Sequence, residues 1–168
     1  MTLDESDEDI RELTLQEFTG SALFRRTFDE GMSLVEETAR YLDGKGREEQ
    51  RDLPRKTALL YAGESMRVTT RLMQAASWLL VQRAVHEGEM KAEDASSDRY
   101  RLGSKEICFG ASGEGCEFLP FMLQDLLSRS DNLYRRIARL DEVLFGAAAA
   151  PAGARGNMAL LEQAFGGN

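Results

Sequence analysis

The stretch LMQAASWLLVQ, residues 72–82, carries no charged side chain, although charged residues make up 30% of the chain. Arg71 and Arg83 stand on either side of it. A helix that crosses a membrane needs about 20 apolar residues in succession, and these 11 residues are too few. The stretch therefore indicates either the buried middle of a helix or a helical surface that meets another protein.

The composition favours a single acidic domain with tails. The chain has 168 residues, of which 42% are hydrophobic, and a formal net charge of −8. That length suffices to bury a core without disulfides or metals. The negative balance disfavours binding to nucleic-acid phosphates and to anionic membranes, so we expect neither as a partner. The acidic N-terminus lacks the basic and apolar segments of a signal peptide, and we expect a cytoplasmic protein.

Apolar residues recur at helical spacing in three long segments of the chain, with prolines before the second and third. The first helix begins either at Thr14, which forms a capping box with Glu17, or at Ser21. The predicted helices cover residues 21–43, 54–87 and 120–145, and a long loop covers residues 96–117.

The fold prediction is an all-α, elongated three-helix bundle. The bundle comprises residues 19–146. It stands between an acidic, disordered tail at residues 1–18 and a flexible tail at residues 147–168, both assigned from composition.

No group of residues predicts catalysis. His86 has no catalytic partner, and with Cys108 and Cys116 it does not supply the four ligands of a zinc site. The glycine-rich GASGEG at residues 110–115 lacks the ending of a phosphate-binding loop and is interpreted as a flexible linker. We therefore expect no enzymatic activity, no metal and no cofactor, and two free thiols.

The second predicted helix has two apolar faces, whereas a surface helix of a bundle usually buries one. The first face consists of Ala58, Ala62, Met66, Thr69, Met73, Ala76 and Leu80. The second face consists of Leu59, Val68, Leu72, Ala75, Trp78 and Leu79. One face then belongs to the core and the other to a two-fold dimer, unless the two other helices cover both. We assign the dimer interface to Val68, Leu72, Ala75, Trp78 and Leu79.

The C-terminal tail holds a short apolar cluster outside the predicted bundle. It is too short to form a stable helix by itself. It is interpreted as a docking peptide for a partner, or as a tail without a role. Its residues are Met158, Leu160, Leu161 and Phe165.

Three long segments resemble the RcdA family of alphaproteobacteria, the regulators of CtrA degradation. They are EGMSLVEETARYLDG (30–44), ESMRVTTRLMQAASWLLVQRAVHEGE (64–89) and LPFMLQDLLSRSDNLYRRIARLDEVLFG (119–146). The resemblance implies a dimeric three-helix bundle without enzymatic activity. It also implies an adaptor that brings cell-cycle regulators such as CtrA to the ClpXP protease. The implied partners are ClpX, CpdR and PopA, and the implied location is the cytoplasm, with recruitment to a cell pole.

Two other classes of function stay open at this stage. One is another dimeric interaction protein or a transcriptional regulator, without enzymatic activity; a transcriptional regulator would need a basic face, for which RRIARL at residues 135–140 with Arg129 is the candidate. An enzyme with a small-ligand pocket would bind a metabolite and gain thermal stability from it.

Overall fold

A computed structural model of the protein describes residue 15 and residues 17–146. No β-strand occurs among these residues, and the predicted all-α helical bundle is confirmed. The helices are α1 (Ala22–Asp43), α2 (Lys45–Arg51), α3 (Arg55–His86), α4 (Ala92–Ala95), α5 (Lys105–Phe109) and α6 (Phe121–Phe145), with a 3₁₀ turn at Cys116–Phe118.

The first long helix begins at Ser21, one of the two predicted starts. The backbone N–H of Phe24 donates to Ser21 Oγ over 3.2 Å, and this hydroxyl donates to the carbonyl of Phe18 over 2.6 Å. Ser21 therefore acts as the N-cap, satisfying a backbone donor that has no partner inside the helix. Thr14, the other predicted start, lies outside the described residues.

Helix α2 lies in the connection between the first two predicted helices, where no helix is predicted. Its sequence KGREEQR contains good helix formers but only one buried residue, Gly46. The chain therefore offered no apolar periodicity to reveal the helix. The Tyr41 hydroxyl donates to Glu49 Oε2 over 2.7 Å, which ties α2 to the end of α1.

The residues form two compact units, and each long helix contributes to both. One unit contains the residues up to Phe28, Ser77–Leu102 and the residues from Arg136, and the other contains Asp29–Ala76 and Gly103–Arg135. We call them the first and the second unit.

The first unit is organised around a buried carboxylate. Asp141 is 1% exposed, and its two oxygens accept hydrogen bonds from Trp78 Nε1 and Arg101 Nε, each over 2.9 Å. Arg101 also donates to the carbonyl of Phe145 over 3.0 Å. A buried charge is tolerated only when it is paired and hydrogen-bonded, and this network meets that condition.

The second unit contains an ion pair between α1 and α6 at a polar break in the apolar spacing of α6. Arg129 pairs with Glu37 through two parallel hydrogen bonds of 2.9 and 2.7 Å. These bonds, with the positive charge of Arg129, lower the pKa of Glu37 below its usual value. Ser130 is buried and donates to the carbonyl of Leu127 over 3.1 Å. At this position α6 therefore has a paired charge and a hydrogen-bonded hydroxyl where its spacing would otherwise place an apolar residue.

Candidate functional site

The five predicted interface residues lie inside the chain. Val68, Leu72, Ala75, Trp78 and Leu79 are each at most 4% exposed. Buried side chains have no surface to offer a second copy, so assigning these five residues to an interface was wrong, whereas Leu59, which was placed on the same face, is 76% exposed. Other parts of the chain cover the five side chains, and a dimer must use another surface.

The exposed face of α3 is apolar and regularly spaced. Leu59, Met66, Met73 and Leu80 are 76%, 71%, 65% and 51% exposed and follow one another every seven residues. In the seams through which helices pair in coiled coils, apolar residues recur at alternating three- and four-residue spacing, and Ala62, Thr69 and Ala76 fall between these four residues at that spacing. The exposed residues between 59 and 80 are all uncharged. We call the four residues the α3 stripe.

The predicted docking residues of the C-terminal tail lie outside the described residues. Met158, Leu160, Leu161 and Phe165 therefore remain a prediction from sequence.

Four polar side chains on one face of α3 hold the segment of residues 103–113, which contains α5, within the second unit. The chief of them is Arg71, which is 4% exposed. Its Nε donates to the carbonyl of Cys108 over 2.9 Å, and its Nη1 donates to the carbonyl of Leu127 over 3.2 Å. Its Nη2 lies 3.1 Å from Asp131 Oδ1. Burial lowers the pKa of Arg71, against the opposing effect of Asp131.

The other members of this set bind the glycine-rich part of the same segment. Arg67 Nη1 donates to the carbonyls of Ile107 and Gly110 over 2.6 and 2.9 Å. The carboxylate of Glu64 pairs with Arg67 over 3.1 Å and accepts from the backbone N–H of Gly113 over 3.2 Å. The last member is Gln74, whose Oε1 accepts from the backbone N–H of Gly103 over 3.0 Å.

These contacts correct two predictions about the loop. Residues 96–117 include helix α5 and the start of a 3₁₀ turn, and the GASGEG sequence is not a plain linker. A side chain at Gly110 would lie 2.6 Å from Arg67 Nη1, and Gly115 has a φ of +95°, which favours glycine. The glycines therefore permit close packing on α3, a role that the sequence pattern alone did not distinguish from flexibility.

A cleft of about 600 Å³ opens beside this segment. Arg135 lies over the ring of Phe109, 5.2 Å from its centroid, and donates to Asp131 over 2.8 Å. Both cysteines are free, and burial raises the pKa of Cys108 and of Cys116. A thiol with a raised pKa is a weak nucleophile because little of it is thiolate. Of the two cysteines, Cys116 lines the cleft, together with the ion pairs that Asp131 forms with Arg71 and Arg135.

Two phenylalanines project from the edge of the same segment. Phe118 and Phe121 are 70% and 84% exposed, whereas large aromatic side chains are usually buried to a high degree. A side chain at Gly115 would lie 3.7 Å from Leu60 Cδ2 and 3.9 Å from Phe118 Cδ2. Leu60 and Phe118 therefore both border Gly115. We call Leu60, Phe118 and Phe121 the aromatic patch.

The sequence-based prediction missed both the polar set and the aromatic patch. The polar set did leave a signal, because Glu64, Arg67, Arg71 and Gln74 recur at helical spacing next to apolar residues. The aromatic patch left none, because exposure depends on what the rest of the chain fails to cover.

The described residues contain no group of three or more acidic, histidine or cysteine side chains arranged to hold a metal ion. Over the same part of the chain, no helix is long and apolar enough to cross a bilayer. The candidate basic face is largely neutralised, since Arg129 pairs with Glu37 and Arg135 pairs with Asp131.

The chain matches a known family and a solved structure. The model of the family described as "Protein of unknown function (DUF1465)" matches residues 15–165. The chain is also similar to the crystal structure of RcdA from Caulobacter crescentus CB15, with 52% sequence identity and a TM-score of 0.63. That match covers 77% of this chain and 97% of the other. Comparison with the curated proteins gave no match. Identity over nearly the whole solved relative, together with the extent of the family match, shows that the chain belongs to the RcdA family.

Proposed function

We propose that the protein is a non-catalytic adaptor that recruits cell-cycle regulators such as CtrA to the ClpXP protease. The observation that carries the proposal is the 52% identity with RcdA over 97% of that chain. An adaptor raises the local concentration of a substrate at its protease by binding both, without chemistry of its own.

The proposed adaptor works as a homodimer through the α3 stripe. Leu59, Met66, Met73 and Leu80 extend over about 32 Å of helix at about 1.5 Å per residue. An uncharged, heptad-spaced face of this length fits a second copy of the same helix, because two such seams bury each other's apolar side chains. This assignment replaces Val68, Leu72, Ala75, Trp78 and Leu79, which the core already uses.

The proposed partners are ClpX, CpdR, PopA and substrates such as CtrA, in the cytoplasm and at a cell pole with the protease. The C-terminal segment is the proposed docking peptide for one of them. The family match extends to residue 165, about 20 residues beyond the end of α6 at Phe145. It therefore includes Met158, Leu160, Leu161 and Phe165, which supports a role for this cluster.

The test is complementation in Caulobacter crescentus cells that lack RcdA. The full chain is expressed, and the half-life of CtrA is followed by immunoblotting after protein synthesis is stopped. We expect the chain to shorten the half-life towards that of cells with RcdA. A CtrA that stays stable while the chain accumulates in folded form would contradict the adaptor role.

The docking role of the tail needs a separate variant in the same assay. Leu160→Ser with Leu161→Ser removes apolar groups outside the described helices, so the bundle should stay folded. We expect the variant to lose degradation of CtrA but to keep its circular dichroism spectrum. Full activity of this variant would assign docking to the helical part of the chain.

A further inference from the structure

Phe118 and Phe121, 70% and 84% exposed, are the most exposed aromatic side chains among the described residues of the second unit. They are three residues apart, so their Cα atoms are at most about 11 Å apart at the reach of an extended chain. Leu60, from α3, borders Gly115 as Phe118 does. Together these side chains offer an apolar surface that one short peptide segment can cover.

The patch stands on a rigid support. Gln124 Nε2 donates to the carbonyls of Leu119 and Glu117 over 2.8 and 3.3 Å, which fixes the turn that carries both phenylalanines. Arg67 and Arg71 hold the segment that precedes this turn. A surface that is already ordered loses little conformational entropy on binding, so its exposed rings are well suited to act as anchors for a partner.

The surroundings of the patch are acidic. Between residues 106 and 128 the chain has four carboxylates and no lysine or arginine. Two of them, Glu114 and Glu117, are exposed on either side of Gly115. Arg67 and Arg71 reach this segment, but they are occupied by backbone carbonyls and by carboxylates. The field at the phenylalanines therefore favours a cation on the partner.

We propose that Leu60, Phe118 and Phe121 dock an apolar peptide segment of a partner protein that carries lysine or arginine. We expect the basic residue of the peptide to lie beside Glu117 and not beside Leu60. Lys56 is exposed one turn before Leu60 and would repel a positive charge there. A second copy fits less well, since each copy has a net charge of −8. The chain's own C-terminal segment, residues 147–168, has one arginine and one glutamate and so offers no net charge. Docking here is independent of the adaptor role.

The test is selection from a random library of 12-residue peptides displayed on phage, with the immobilised full chain as bait. Binders that also bind the double variant Phe118→Ser, Phe121→Ser are removed. The remaining peptides should combine two or more apolar residues with lysine or arginine. Measured by fluorescence polarisation, an enriched peptide should bind at least about tenfold more weakly to the double variant, as expected for anchor residues.

Two further variants make the result decisive. Glu117→Lys should weaken the binding of basic peptides and strengthen the binding of the same peptides with glutamate in place of lysine. Met73→Ser, on the α3 stripe, should leave the binding of both unchanged. All variants replace exposed residues, and an unchanged thermal midpoint checks that they are folded. The proposal is overturned if no peptide depends on the phenylalanines, if acidic peptides are enriched, or if a second copy or the peptide of residues 147–168 competes with the enriched peptides at equal affinity.

Discussion

Replacing Met66 and Met73 with glutamate should separate the proposed dimer while leaving each chain folded. Both methionines lie on the α3 stripe, seven residues apart, and are 71% and 65% exposed in the single chain. Surface substitutions of this kind usually change the free energy of unfolding by no more than about 0.5 kcal/mol. The change should therefore appear in association and not in folding.

The expected loss of association can be estimated from the area that the dimer would cover. Removing a whole methionine side chain from water is favourable by about 1.5–3 kcal/mol. Because roughly two-thirds of each methionine is exposed in the single chain, covering one of them in the dimer adds about 1–2 kcal/mol to the free energy of association. A two-fold interface contains four such side chains, so the variant loses about 4–8 kcal/mol, or roughly 10³- to 10⁶-fold in the dimer dissociation constant.

The assay is sedimentation velocity over a concentration series, with circular dichroism to follow folding. The matched control is Leu72→Glu with Leu79→Glu, which places the same charges on the buried face of α3. Each of these leucines contributes about 2–5 kcal/mol to the core, and an unpaired buried charge costs more. The two substitutions should therefore remove most of the free energy of unfolding, which is about 5–15 kcal/mol for a native protein, and the control variant should unfold.

Two results would refute this reasoning. If the wild-type chain sediments as a monomer at high micromolar concentration, the proposed dimer does not form. A Met66→Glu, Met73→Glu variant that remains dimeric at low micromolar concentration places the interface elsewhere. If instead the leucine control stays folded, the buried face of α3 is wrongly assigned.

Three further predictions concern single side chains. Asp141→Ala leaves the buried Trp78 N–H without its acceptor and should cost about 2–4 kcal/mol in urea denaturation; a loss below about 1 kcal/mol would show that the carboxylate is not needed. Gly46→Ala sets a methyl group against the Tyr61 hydroxyl and should lower stability by about 1–3 kcal/mol, and an unchanged midpoint would mean that α2 can move away at no cost. Burial raises the pKa of Cys116, so at a given pH its thiolate fraction is below that of an ordinary cysteine. Its alkylation by iodoacetamide should still accelerate above about pH 10, where a free thiol of pKa about 8.5 is almost fully ionised and its rate has levelled off; a plateau at the same pH as free cysteine would contradict the shift.

Much of the helical framework could be predicted because it depends on local information. Ser21, Pro54 and Pro120 mark the beginnings of the three long helices, and the four-and-three spacing of apolar residues extends between the ends. Helix α2 escaped prediction because its only buried residue is a glycine, so that burial left no periodic pattern. Local propensity was present there, but it is a weak signal without an apolar face.

The sequence by itself determined that the chain is helical, that α3 has two apolar faces, and that the family is that of RcdA. Only the tertiary structure decided which face of α3 is core. Spacing places residues on a face, but burial depends on segments distant in sequence that cover one face and leave the other open. The stretch at residues 72–82 thus contains both outcomes, since Leu72 and Leu79 are buried while Met73 and Leu80 are exposed. In the same way, only the structure showed that Arg67 and Arg71 hold residues 107–110 and that Phe118 and Phe121 are exposed, because the sequence pattern does not show which distant residues a polar side chain contacts.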